Sequence, residues 1–193
     1  MARCFGQGAD SSGAVLSNLD VFRTLAERIG ERTAQQIGEV ERRQIVVQVF
    51  PKEYSWYLEG SFLRGIASRG FQPVASGDAR LEAGFGLINL RVEYANPRRE
   101  GLFGSKVVDR KVTFAASTKI VDKVAGTVVW DDQMEEGYHD TVHMSELGAI
   151  ESETLPFTKG VLPTEGFFSS VAEPLVALGA IAVAVLLLFR IRS

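Results

Sequence analysis

The stretch "HDTVH", His139 to His143, is the first place to look for chemistry, because it holds both histidines of the chain. It is close to the zinc-protease pattern H-E-x-x-H, with Asp140 where a glutamate would activate water. That pattern works on a helix, where residues four apart share one face a single turn apart. Here the preceding residues alternate apolar and polar, as a strand does, and residues four apart along a strand sit about 13 Å from each other. Asp140 is also a shorter base than glutamate, and no third ligand is marked. Histidines at the surface end of a strand are the expectation. A membrane-bound metal-dependent hydrolase using this stretch is the alternative. Serine and threonine nucleophiles have only these two histidines as bases, and no G-x-S-x-G elbow is present. The glycines of "GFGLI" and "GQGADSSG" lack the spacing of a phosphate loop. We therefore expect no catalytic residue, no cofactor and no metal.

A different kind of site is suggested by "ANPRREGLFGSK", Ala95 to Lys106. It joins two well-marked strands and mixes Arg98, Arg99 and Lys106 with Leu102 and Phe103. Apolar residues at a loop tip flanked by basic ones suit contact with a protein partner or an anionic membrane surface. The competing expectation folds Leu102 and Phe103 back onto the core. The five residues Arg98, Arg99, Leu102, Phe103 and Lys106 are the candidate partner-binding set.

The elements that must position this loop read clearly in the middle of the chain. In "LINLRVEYA", Ile88, Leu90, Val92 and Tyr94 alternate with Asn89, Arg91 and Glu93. A period of two marks a strand with one wet face. "VVDRKVTFAASTKIV" sets Val108, Val112, Phe114, Ala116 and Ile120 against Asp109, Lys111, Thr113 and Lys119. "TVVWDDQMEEGY" adds Val128, Trp130, Met134 and Tyr138. Three long alternating strands with short turns make an antiparallel meander. Upstream, Val21, Phe22, Leu25, Ile29 and Ile37 recur near helical spacing, predicting a helix from about Asn18 to Gly38. "QIVVQVF" (Gln44 to Phe50) reads as a short buried strand. A second helix, about Lys52 to Ser68, is expected to turn Trp56, Leu63 and Ile66 inward and to end at Gly70. "FQPVAS" is a brief strand, and a last short helix falls near Ser145 to Ser152. The expected fold class is α+β, a two-layer domain with an antiparallel β-meander covered by helices, plus one C-terminal transmembrane helix.

That last element is read from "EPLVALGAIAVAVLLLFRIRS". Leu175 to Phe189 contains no charged or strongly polar residue. At about 1.5 Å per residue this falls short of a hydrocarbon core of roughly 30 Å, and Ile191 with a snorkelling Arg190 lengthens it. The domain plan is a disordered leader at 1–17, a globular domain at 18–152, a linker at 153–170 and a transmembrane helix at 171–191. Arg190 and Arg192 follow the span, while the nearest basic residue before it is Lys159. The positive-inside rule then puts the globular domain in the periplasm. A tail-anchored protein with a cytoplasmic domain is the alternative, because the N-terminus shows no signal-like apolar core.

Composition narrows the function classes further. The 193 residues leave room for one ordinary domain besides the anchor. A net charge of -3 gives none of the basic excess of a nucleic-acid binder. The single cysteine, Cys4, excludes an internal disulfide framework.

The hairpin "IVDKVAGTVVWDD" carries Asp122, Gly126, Val128 and Trp130, and "GIASRGFQPV" (Gly65 to Val74) precedes the meander. Together they resemble bacterial envelope proteins similar to the curli-secretion lipoprotein and the N-terminal domain of the Tol-system translocation protein. Those share a "D-x-x-x-G-x-V-x-W" hairpin after a helix ending in the style of "A-x-x-G-F". The resemblance spans about Gln44 to Tyr138. It implies a non-enzymatic envelope accessory or assembly module with no catalytic residues to carry over. The expected partners are thus the membrane bilayer and an envelope protein.

Overall fold

The computed structural model describes residues 15–37, 43–50, 53–101 and 104–162. Five strands form one sheet in the order β2-β1-β3-β4-β5. These are β1 (Gln44–Phe50), β2 (Gln72–Val74), β3 (Leu81–Arg99), β4 (Lys106–Asp122) and β5 (Thr127–His143). Two helices, α1 (Asn18–Gln35) and α2 (Ser55–Ser68), cover one face. The expected meander is present as β3, β4 and β5, which pair antiparallel. The sheet as a whole is mixed, because β1 pairs parallel with both β2 and β3. The α+β reading with an antiparallel meander and helices holds, and β1 and β2 extend the sheet with parallel pairing. Period-two patterning reveals a strand but says nothing about the direction of its neighbour.

Ser17 starts α1 by accepting the Asp20 amide at 3.2 Å, which satisfies one of the open donors of the first turn. Val21, Phe22, Leu25 and Ile29 are fully buried beneath it. The second helix turns Leu58, Phe62 and Ile66 inward, whereas Trp56, expected inside, is 66% exposed and lies on Tyr57. Its position at the first turn of the shorter observed helix puts it on the outer flank. The helices cross at Gly30 and Gly65, where their backbones touch. A methyl group on Gly65 would run into the Glu27 carbonyl oxygen. Phe62 stacks on Phe85 with centroids 4.4 Å apart, and Phe85 meets Phe114 at 6.4 Å, so one aromatic column joins helix layer to sheet.

Besides an interruption near the β3–β4 turn, the meander's inward phase slips at two places. In β3 the ladder is irregular between Leu87 and Asn89, so Leu81, Ala83, Phe85 and Leu87 point inward before the slip and Val92 and Tyr94 after it. Ile88, expected inside, is 38% exposed at the irregularity. In β5 the ladder slips near Val129, since Ile120 faces Trp130 but Val121 faces Val128. Val128 therefore points outward and is 54% exposed, against expectation, while Trp130 packs on the core edge. One extra residue reverses every following side chain. On β4 the expected residues Val108, Val112, Phe114, Ala116 and Ile120 are all fully buried.

Both chain ends are tied to the sheet over part of the stretches expected to be free. Val15 to Ser17, the end of the expected leader, leads directly into the α1 cap. Beyond the short helix α3 (Leu147–Ile150), residues 153–162 fall in the expected linker. Yet Thr158 is fully buried, Leu155 is buried, and Phe157 packs among Phe22, Tyr54 and Tyr57. Val161 then bridges Glu93 in parallel, on the edge of β3 that β1 leaves open beyond Gly86. Among the described residues no helix is long and apolar enough to cross a membrane. The expected span at 171–191 lies outside the described residues.

Candidate functional site

The stretch expected as a long loop between β3 and β4 is mostly ladder. Strand β3 continues to Arg99 and β4 begins at Lys106, with Arg98 opposite Val107 and Arg99 opposite Lys106. The ladder is interrupted between Ala95 and Arg98, where Asn96 takes a positive φ of 49°. The true turn is closed by the Glu100 amide donating to the Ser105 carbonyl at 3.0 Å. Leu102 and Phe103 lie outside the described residues.

The three basic members of the candidate set have different surroundings. The Arg98 guanidinium donates to Asp109 at 2.6 Å and to Thr141 Oγ1 at 3.3 Å. Asn96 donates to the other Asp109 oxygen at 3.0 Å. Asn96 above all, then Arg98 and Thr141, hold the Asp109 carboxyl below the usual carboxylate range. Arg98 is thus a brace across three strands. Arg99 is exposed and has no ion pair among the described residues, and it faces Lys106 across the ladder. Like charges placed directly opposite repel.

Behind the brace, on the outer sheet face, lies a shallow hollow of about 420 Å³ lined by Asn96, Asp109, Lys111, His139 and Thr141 among others. His139 and His143 sit on β5, on one face of a strand, about 13 Å apart by the strand rise. Asp140 points to the other face, toward Arg110. The described residues contain no group of three or more side chains placed to hold a metal ion. The side chains of "HDTVH" thus do not converge: the two imidazoles are spread along one face of β5 and Asp140 turns to the other.

What sequence reading missed lies directly beneath. Arg110 is 1% exposed and sits on the apolar phase of β4, between Val108 and Val112. It makes a bidentate pair with Asp140, at 2.8 and 2.6 Å. Its remaining Nη1 donates at 2.8 Å to both the Leu16 carbonyl and Asn18 Oδ1. Asn18 in turn donates to Tyr94 Oη at 3.0 Å and to the Thr158 carbonyl at 2.7 Å. Burial pushes the Tyr94 hydroxyl up to about 12, with the Asn18 hydrogen bond offsetting part of the rise. A buried guanidinium is tolerable only with such a full set of acceptors. The network joins the start of α1, the middle of the meander and the C-terminal segment. Its signal in the sequence was one charged residue on a buried phase, matched by Asp140 on the inward phase of the next strand.

No protein-family model matches this chain, and neither does any curated protein. Among solved structures it is similar to a neuraminyllactose-binding hemagglutinin homolog from Helicobacter pylori. The identity is 12% and the TM-score 0.34, covering 56% of this chain and 71% of that one. It is also similar to a minor lipoprotein from Acinetobacter baumannii, at 14% identity and a TM-score of 0.29, covering 55% and 69%.

Proposed function

We propose that this chain is a non-enzymatic binding or scaffolding module of the cell envelope. In this reading the apolar segment 171–191 holds it to a membrane, its α+β domain faces the periplasm, and contact is made through the hairpin end bearing Arg98, Arg99 and Lys106. The observation that carries the reading is one of placement. The last described residues, the start of α1 and the basic hairpin end all belong to the same half of the sheet. The uncharged run Leu175 to Phe189 and the flanking Arg190 and Arg192 support the anchor and its sidedness. The hairpin likeness to envelope accessory domains supports the class.

Carbonate extraction tests the anchor. The full-length chain should stay in the membrane pellet, and a chain ending at Pro163 should be released. A full-length chain that washes off would remove the anchor from the reading. Protease added to spheroplasts tests sidedness: the domain should be digested from outside, and protection of the domain would favour the tail-anchored, cytoplasmic arrangement.

A further inference from the structure

The stretch from Glu151 to Leu162 is braced within itself. The Gly160 amide donates to Glu151 Oε1 at 2.8 Å, and the Ser152 amide donates to Thr158 Oγ1 at 2.9 Å. That hydroxyl donates in turn to the Leu155 carbonyl at 2.8 Å. Each bond closes a short loop, so the stretch holds its shape as one piece.

It is fastened to the rest of the domain around one residue of β3, Tyr94. Gly160 lies so close to Tyr94 that a methyl group on it would run into the ring. The Tyr94 amide donates to the Val161 carbonyl at 3.1 Å, and the Val161 amide donates to the Val92 carbonyl at 3.3 Å. This bridge to the sheet is an isolated one, and Val161 and Leu162 are exposed at it. Four residues back, Phe157 sits among the rings of Phe22, Tyr54 and Tyr57, with centroids at 5.7, 4.8 and 6.1 Å. Tyr54 takes a φ of 70° at this seat, a left-handed backbone that is unfavourable for any residue but glycine.

Two of these fastenings are shared with α1. Phe22 lies in its second turn, and Asn18 stands at its start. Asn18 donates to Tyr94 Oη and to the Thr158 carbonyl, while its own Oδ1 accepts from Arg110. With the stretch lifted away, Asn18 loses an acceptor and Phe22 loses the ring that covers it. The start of α1 then keeps the Ser17 cap and Arg110 among these supports. Helix ends with few buried contacts are the first parts of a domain to open.

We propose that residues 151–162 are a latch that opens as one piece and takes the first turn of α1 with it, so that both ends of the domain are released together. Tyr94 is the fulcrum, through its ring, its hydroxyl and its amide. Opening uncovers the β3 edge at Val92 and Tyr94 and vacates the seat of Phe157. The meander stays closed, because β3, β4 and β5 pair with one another and Arg110 keeps Asp140. The latch does not depend on an anchor at 171–191.

Hydrogen exchange of the full chain in detergent micelles tests this. Gly160→Ala drives a methyl group into the Tyr94 ring. It should raise exchange about tenfold or more at the amides of Tyr94 and Val161, and by the same factor at those of Asp20 to Phe22. Amides between Ile120 and Trp130, at the far end of the meander, should change less than about twofold. Coupling between two sites is reciprocal. Ser17→Ala, which removes the α1 cap, should therefore raise exchange at Tyr94 and Val161 as well. A rise at Tyr94 and Val161 with Asp20 to Phe22 still protected would overturn the proposal, because the stretch would then open alone. An equal rise between Ile120 and Trp130 would also overturn it, because the opening would be that of the whole domain. If Gly160→Ala does not fold, Ser17→Ala decides by itself: unchanged exchange at Tyr94 and Val161 leaves no latch.

Discussion

At the β4–β5 turn, Asp122 caps its own chain, whereas at the β3–β4 half Arg110 is satisfied by residues drawn from both ends of the sequence. Asp122 accepts the Val124 and Ala125 amides at 3.0 and 3.1 Å, and Gly126 supplies the positive φ of 65° that closes the turn. Its other oxygen takes Arg80 at 2.7 Å. Nearly everything that shapes this turn lies within five residues. Arg110 instead reaches Leu16 and Asn18, over ninety positions away, and Asp140, thirty away. One end is a local turn with a clamp on it. The other is a tertiary knot through which the terminal segments are tied to the sheet.

Breaking the knot should have the largest effect. Arg110→Met leaves the partly buried Asp140 against a neutral side chain and takes the donor from the Leu16 carbonyl and Asn18 Oδ1. We expect a loss of about 3–5 kcal/mol in urea unfolding of the domain. Adding Asp140→Leu should recover part of this, because the uncompensated charge is then gone. If the double variant is less stable than Arg110→Met, the pairing with Asp140 is not the source of the loss. At the turn end, Trp130→Ala should cost about 2 kcal/mol, since the ring is partly buried at the core edge. Val128→Ala, two positions away, should stay within about 0.5 kcal/mol because that side chain faces solvent. Similar costs for the two would mean that the ladder slip near Val129 is wrongly placed.

The clamp at the turn should appear through pH. Arg80 first, then the Ala125 amide, hold the Asp122 carboxyl below the usual carboxylate range. A carboxyl whose folded pKa is depressed adds stability above its unfolded pKa, and that stability is lost as pH falls through the folded value. Unfolding midpoints measured between neutral and acid pH should therefore decline below the ordinary aspartate range near 4. Asp122→Asn should lower the neutral plateau and flatten that decline. An unchanged acid slope would remove Asp122 from the account.

This contrast also explains what the sequence revealed. The meander, the inward residues of β4 and the D-x-x-x-G turn were legible because each depends on neighbours in sequence. The phase of Ile88 and Val128 was not, because a single unpaired residue reverses it and leaves no mark in a period-two pattern. The parallel placement of β1 was hidden because it depends on crossovers and not on its own composition. At the candidate site, the basic residues were visible as types. That Arg98 is a brace and Arg99 faces Lys106 required the register. Asp140 was visible as part of a metal-like motif, but only the fold shows that its partner is Arg110.

The smallest expected effect is a gain. Thr118 lies on the buried phase of β4, between Ala116 and Ile120, and faces Phe85 on β3. It is 1% exposed, and its Oγ1 has no hydrogen-bond partner among the described residues. This resembles neither end of the meander. Arg110 is buried with an acceptor on each of its three nitrogens, and Asp122 caps amides of its own turn, whereas Thr118 buries a hydroxyl with no acceptor among the described residues. Burial of an unpaired hydroxyl costs roughly 1–3 kcal/mol, and an apolar group of the same shape removes that cost. Valine matches threonine in shape and keeps the β-branched form that strands favour. Thr118→Val should therefore raise the unfolding free energy by about 1 kcal/mol, read as a higher urea midpoint at unchanged slope. A destabilised variant would mean that the hydroxyl has an acceptor in solution, an internal water being the first to seek. The difference between Thr118 and Arg110 would then vanish.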